Sequence, residues 1–219
     1  DPEDKEKYFD DDAMWEKAES TLRKVLTDLG ISFHEEIGEA AFYGPKLDVQ
    51  IKSAIGHELT LSTCQLDFLL PERFDLTYID RDGTKKRPVV LHRAILGSVD
   101  RFIAYLLEQT KGVFPLWLSP FQVNVIPVNQ EYHSSYAKEI FAFLKQEGIR
   151  TTLDDRNEKL GYRMRDSQTK KIPYTLILGN KEQEEGTVSY RRWGSEETIT
   201  VSKQEFVELL KEEVASKKM

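Results

Sequence analysis

The chain has 219 residues, 39% of them hydrophobic, with a formal net charge of −7, which is enough apolar material for globular cores and favours two domains of about 100 residues each. No run approaches the ~18 apolar residues of a membrane span, and the start, Asp1 to Lys7, is charged where an export signal would be apolar, so a membrane protein is excluded and the cytoplasm is the expected compartment. A single cysteine, Cys64, excludes an internal disulfide, and the absence of an initiating Met is what a piece of a longer protein would show.

Met14, Ala18, Leu22, Val25, Leu26 and Leu29 recur at helical spacing and Gly30 follows as a C-cap, predicting an amphipathic helix over residues 13–29. Leu47, Val49 and Ile51 alternate with polar residues, a glycine turn lies within 53–57, and a second strand runs from Leu59 to Leu66. A third strand is expected over Phe74 to Ile79, leading through the Asp80-Arg81-Asp82-Gly83 turn to Val89-Val90-Leu91-His92. Ile95, Val99, Phe102, Ile103, Leu106 and Leu107 then mark one face of a helix. Strands backed by helices make this half α+β, with an antiparallel sheet.

Prolines interrupt the periodicity twice in Phe114 to Pro120, which places the domain boundary between residues 118 and 119. Beyond it the expected order is a strand (121–128), a helix (132–147) closed by Gly148, a strand (149–153), a short basic helix (160–170), a buried strand (174–178), a hairpin (187–192 with 198–201) and a last helix opened by a Ser202/Glu205 capping box. This is an α/β pattern of five strands in a mixed sheet with helices on both faces. The charge is uneven: residues 1–118 hold 15 Lys and Arg against 22 Asp and Glu, whereas residues 119–219 hold 16 of each. Within the neutral half, Arg156 to Lys171 carries six cations and two acids, a local positive surface of the kind phosphates select, or simply a solvated helix face.

The string Leu91-His92-Arg93-Ala94-Ile95-Leu96-Gly97-Ser98-Val99-Asp100-Arg101 concentrates chemistry at a strand end and a helix start. Arg101 offers a donor fork suited to phosphate, Gly97 permits close backbone approach, and His92 suits either a metal or a satisfied core position. The string resembles the third signature motif of class II aminoacyl-tRNA synthetases in the form found in threonyl-tRNA synthetases. Gly38 to Lys46, Thr63-Cys64-Gln65-Leu66-Asp67-Phe68 and Asp155 to Gly161 match the same family in the same order, so the resemblance covers essentially the whole chain and has a bacterial character.

The resemblance implies a class II catalytic-domain fragment over 1–118 and an anticodon-binding domain over 119–219. It implies that Arg101 contacts the γ-phosphate of ATP, carried with Mg. Gln65 and Ser98 would touch the adenylate or nucleotide, and Tyr43 and Lys46 would line the pocket; Arg101, Lys46 and Gln65 are the catalytic candidates. His92 matches a zinc ligand whose two companions, a Cys and a His, lie upstream of this chain in the family, and that zinc binds the amino group and hydroxyl of threonine. Cys64 and His57 are not at matching places, and His34 and His133 have no motif around them. Asn157, Glu182 and Arg191 would read anticodon bases of threonine tRNA, residue types with the paired donors and acceptors that base edges require, while Arg163, Arg165, Lys170 and Lys171 would contact phosphates. The intact enzyme would be a homodimer.

The family's first and second signature motifs and its editing domains lie outside this sequence, and position 60 is Thr where a relative can carry Gln. The expectation is therefore that this chain by itself binds the anticodon and does not form threonyl-adenylate. The alternatives are a related class II enzyme, such as a prolyl or histidyl synthetase, and a non-catalytic tRNA-binding paralogue.

Overall fold

Asp11 opens helix α1 (Asp12–Asp28) by accepting the Met14 N–H at 3.0 Å, which satisfies one of the helix's orphan donors. In the computed structural model, which describes residues 7–217, this helix buries Ala18 and Leu26 and leaves Val25 and Leu29 of the same apolar stripe exposed. Strands β1 (Lys46–Lys52) and β2 (Glu58–Asp67) pair antiparallel as the alternation predicts.

The strand expected over 74–79 is mostly absent. Asp67 accepts the N–H groups of Leu69 and Leu70 at 3.0 and 2.9 Å and so starts a short helix, α2 (Leu69–Arg73). Asp75 follows at φ 47°, a left-handed conformation that no strand accommodates. Only the end of the segment is extended: β3 (Tyr78–Ile79) pairs with β4 (Lys85–Lys86) as a separate ribbon across the Asp80–Gly83 turn. Capping by a side chain seven residues upstream of Phe74 overrides the local β propensity. Strand β5 (Val90–Ala94) pairs on the other side of β2, giving the sheet order β1-β2-β5, and α3 (Val99–Thr110) follows.

The chain divides into two compact units between Tyr105 and Leu106, inside α3. The residues just before 119 pack into the second unit: Leu116 is 2% exposed in its core, and Arg150 donates through Nε to Ser119 O at 2.8 Å and through Nη2 to Trp117 O at 2.9 Å.

The second unit runs β6 (Val123–Pro127), α4 (Gln130–Gln146), β7 (Thr151–Leu153), α5 (Leu160–Thr169), β8 (Tyr174–Leu178), α6 (Asn180–Glu185), β9 (Thr187–Arg192), β10 (Ile199–Ser202) and α7 (Lys203–Ala215). Its five strands form one mixed sheet in the order β10-β9-β8-β6-β7, parallel across β8, β6 and β7 and antiparallel across β10, β9 and β8. Within this unit, helix α6 is the one described element that the sequence pattern omits; it is a single short stretch between two glycines, and Gly186 closes it at φ 67°. The Ser202/Glu205 capping box is present, with Ser202 Oγ accepting the Glu205 N–H at 3.2 Å.

Strand alternation gives this sheet two unlike faces. Val125, Leu176, Val188 and Tyr190 form the apolar face and pack with Ile140 and Leu144 of α4 and Phe206 and Leu210 of α7. Asn124, Thr175 and Ser189 lie on the other, polar face, where Ser167 of α5 bonds Thr175 hydroxyl to hydroxyl at 2.7 Å.

Candidate functional site

In the first unit, strand register assembles the site. Lys46 lies opposite Gln65, and Gln65 lies opposite His92, so three of the predicted residues form one row across β1, β2 and β5 with side chains on one face. Tyr43 joins them from the segment before β1: its hydroxyl bonds Gln65 Oε1, and its ring lies 5.6 Å from that of His92. That segment reaches the sheet because Phe68 N–H bonds Tyr43 O at 3.0 Å and Leu66 N–H bonds Pro45 O at 3.0 Å. Between them Gly44 lies so close to β2 that a Cβ there would stand 2.2 Å from Leu66 O, so only glycine fits.

The same face carries residues the motif reading passes over. Lys46 Nζ pairs with Asp48 Oδ2 at 2.8 Å, and the Thr63 hydroxyl donates to Asp48 Oδ1 at 2.6 Å. Asp67, 1% exposed, faces His92 Nε2 through Oδ2 at 2.8 Å. The signal was available: Thr63, Gln65 and Asp67 are alternate residues of one strand, inside a string already singled out.

This pairing bears on a metal. A carboxylate oxygen accepts, so Asp67 places the imidazole proton on Nε2 and leaves the Nδ1 lone pair of His92 for a ligand, the arrangement of a carboxylate–histidine–metal triad. His92 thus fits the part of one zinc ligand. Among the described residues no group of three or more His, Cys, Asp and Glu converges as a metal site. Cys64 is adjacent to Gln65 in β2 and so points to the opposite face of the sheet.

Ser98 and Arg101 stand on the first turn of α3, where Ser98 Oγ accepts the Arg101 N–H at 3.4 Å. Gly97 makes the turn at φ 61° beside Leu61 O. The Arg101 side chain is exposed and has no partner among the described residues, and no hydrogen bond joins either residue to the Lys46–Gln65–His92 row.

In the second unit, the polar sheet face and α5 form a groove. Arg191 of β9 is fixed at Nε by the Thr198 hydroxyl at 2.7 Å and lines an open cavity of about 340 Å³ with Met164, Arg165 and Gln168 of α5 and Gly194, Ser195 and Glu196 of the β9–β10 turn. Glu182 sits along the same face: its Oε1 accepts from Ser189, two residues from Arg191, at 2.6 Å, and its Oε2 accepts the Gly179 N–H at 2.9 Å. Burial pushes the Glu182 carboxyl up, but these hydrogen bonds prevail and hold it below its ordinary value. Asn157 lies in the exposed loop between β7 and α5, its side chain without a partner among the described residues.

The basic stretch is less available to phosphate than its composition implies. Arg163 is 0% exposed and bonds main-chain carbonyls, so it faces inward. Arg156 is held by Asp154 and Asp166 at 2.7 and 2.6 Å, Lys170 by Asp166 at 3.0 Å, and Lys171 Nζ donates to Lys111 O. Arg165 and Lys159 remain exposed. A helical stretch shows one side to the core whatever its charge, and Arg163 falls on that side. His133, without a motif in the sequence, is buried with both ring nitrogens engaged: Nδ1 accepts the Asn129 N–H at 3.0 Å and Nε2 meets Asn180 Oδ1 at 2.7 Å.

Residues 4–110 match the family model described as tRNA synthetase class II core domain (G, H, P, S and T), and residues 122–213 match that of the anticodon binding domain. Over 218 residues the chain is 57% identical to the threonine–tRNA ligases of Staphylococcus aureus strains JH9 and N315, an alignment that covers 100% of this chain and 34% of each relative. The crystal structure of the RNA binding domain of threonyl-tRNA synthetase from Cryptosporidium parvum Iowa II is similar with a TM-score of 0.84 and 32% identity, covering 94% of this chain and 52% of that one.

Proposed function

The chain belongs to the threonyl-tRNA synthetase family, as the C-terminal portion of its curated relatives, and from that premise we propose that it serves the ATP-dependent ligation of threonine to threonine tRNA. It would supply one wall of the activation pocket and the surface that reads the anticodon, with the functional boundary between residues 118 and 119. In the first, Tyr43, Lys46, Gln65 and Ser98 contact the amino acid and nucleotide. Arg101 opposes the negative charge of the γ-phosphate of ATP, brought with Mg, and its work is electrostatic. His92 would hold a zinc ion together with ligands that this chain does not supply, and the ion would supply a Lewis-acid centre that favours a hydroxyl-bearing amino acid over valine. The intact protein acts in the cytoplasm as a homodimer.

In the second, Asn157, Glu182 and Arg191 read base edges while Arg165 and Lys159 meet phosphates, which position without specifying. The observation that carries this reading is the α5–β9 groove, where the Arg191 Nη donors have no partner among the described residues and lie beside an open cavity, and Glu182 presents a fixed carboxylate on the same face. Splayed single-stranded bases are what proteins read specifically in RNA, and an anticodon loop offers them.

The test is binding of the 219-residue chain to threonine tRNA and to a copy with an altered anticodon, at two salt concentrations. Tight binding that depends on the anticodon, with Asn157→Ala losing about 1–3 kcal/mol of it at one base, is expected. Indifference to the anticodon would overturn the proposal and leave a shared ancestry without the activity.

A further inference from the structure

Arg163 is a charged side chain with no exposure, inside a stretch whose other cations are exposed, apart from the half-buried Lys171. Its guanidinium donates from Nε to Glu158 O at 3.1 Å, from Nη1 to Asp154 O at 3.0 Å and from Nη2 to Val128 O at 3.4 Å. Among the described residues no carboxylate accepts from it directly; the Asp154 carboxylate is taken by Arg156 at 2.8 and 2.7 Å. Burial pulls Arg163 below the usual arginine range, against the attraction of Asp154. Burying a cation without a bonded counter-ion is costly, so the three carbonyls it satisfies are what the fold gains.

Those carbonyls belong to the residue after β6 and to both ends of the loop that carries Asn157. The middle of that loop is tied from the other side, where Gln130 Nε2 donates to Arg156 O at 2.6 Å. Carbonyls 154, 156 and 158 are therefore all taken by side-chain donors, and the Asn157 side chain has no partner among the described residues. Arginine suits this part because its planar fork serves several acceptors at fixed angles, whereas lysine is a single point on a flexible stem.

We propose that Arg163 is a positioning residue for base recognition: its buried fork fixes the 154–158 loop so that Asn157 meets its tRNA base in one conformation. The inference rests on the anticodon-reading function proposed above. A loop free to sample several conformations would present Asn157 correctly only part of the time, and discrimination would fall by that fraction.

The experiment is a double-mutant cycle on tRNA binding, using the full 219-residue chain, threonine tRNA and copies altered singly at each anticodon base. Wild type and Asn157→Ala identify the base that Asn157 reads and should differ there by about 10-fold in discrimination. Arg163→Lys should lose most of that factor at the same base, leave the other two bases and the salt dependence unchanged, and cost nothing further when Asn157 is already alanine. Gln130→Ala, a change at a half-buried position outside the core, should show the same pattern at smaller size. Where Arg163→Lys loses the amide protection of β6 and β8, Gln130→Ala decides the matter alone. Losses shared equally by all tRNAs, or losses that multiply with those of Asn157→Ala, would overturn the positioning role. A wild-type chain that ignores the anticodon, by contrast, removes the function on which the inference rests.

Discussion

Glu182→Ala should destabilise the second unit in a way that depends on pH. The carboxylate ties α6 to β9, with Oε2 accepting the Gly179 N–H at 2.9 Å, Oε1 accepting the Ser189 hydroxyl at 2.6 Å, and the Thr200 hydroxyl 2.7 Å behind Ser189. A hydrogen bond to a charged group contributes ~1.5–3 kcal/mol when buried. Glu182 is only half-buried, water replaces part of each bond on mutation, and the two together come to about 1–2 kcal/mol at neutral pH. Because its folded-state pKa lies below the ordinary 4.5, this contribution is complete above the unfolded value and is lost as pH falls through the folded value. The assay is amide exchange in β8 and β9, converted to opening free energy from about pH 7 down to about pH 3.5. The gap between wild type and Glu182→Ala should be open at neutral pH and close below the ordinary glutamate range. A gap that stays constant over that interval would refute the account, since the carboxylate charge would then contribute nothing to the bonds. The same carboxylate remains free to read a base, because about four acceptor sites are available and the protein uses two.

Three further outcomes follow from the first unit. Gly44→Ala puts a Cβ 2.2 Å from Leu66 O, so the Tyr43–Pro45 segment must lift from β2 at a cost of about 1–3 kcal/mol, visible in denaturant unfolding as a lower midpoint. In Asp67→Leu the Nε2 acceptor of His92 is gone, and nitrogen NMR of the imidazole should change from a single Nε2–H tautomer to a mixture; an unchanged spectrum would show that Asp67 does not set the proton's place. Finally, the 219-residue chain should give no ATP–pyrophosphate exchange, and a measurable rate would contradict the expectation that it does not form the adenylate unaided.

Much of this architecture was legible because its causes are local. The alternation of Leu47, Val49 and Ile51 against polar neighbours, and the Ser202/Glu205 spacing before the last helix, each predict an element found at that place. The 74–79 segment was misread because its conformation is decided by Asp67, whose side chain starts α2, and by the left-handed Asp75. Helix α6 was passed over because six residues between glycines offer no periodicity to detect. The candidate site residues could be named from a motif, but their geometry could not: the row of Lys46, Gln65 and His92 depends on the register of three strands, and nothing in the spacing from 46 to 65 to 92 encodes it.

Arg163 shows the corresponding limit on charge. Counting cations from Arg156 to Lys171 treats each as a candidate for phosphate, yet burial turns one of them into a main-chain donor and ion pairs occupy Arg156 and Lys170. The two candidate sites accordingly rely on different supports. In the first unit, candidate residues lie on paired strands, where register holds three of them in a row. In the second, Asn157 and Glu182 lie in or beside loops, held by buried or half-buried polar groups. Changes at those supports should therefore act on discrimination between tRNAs before they act on affinity. The salt dependence separates the two effects, because phosphate contacts set its slope and base contacts do not.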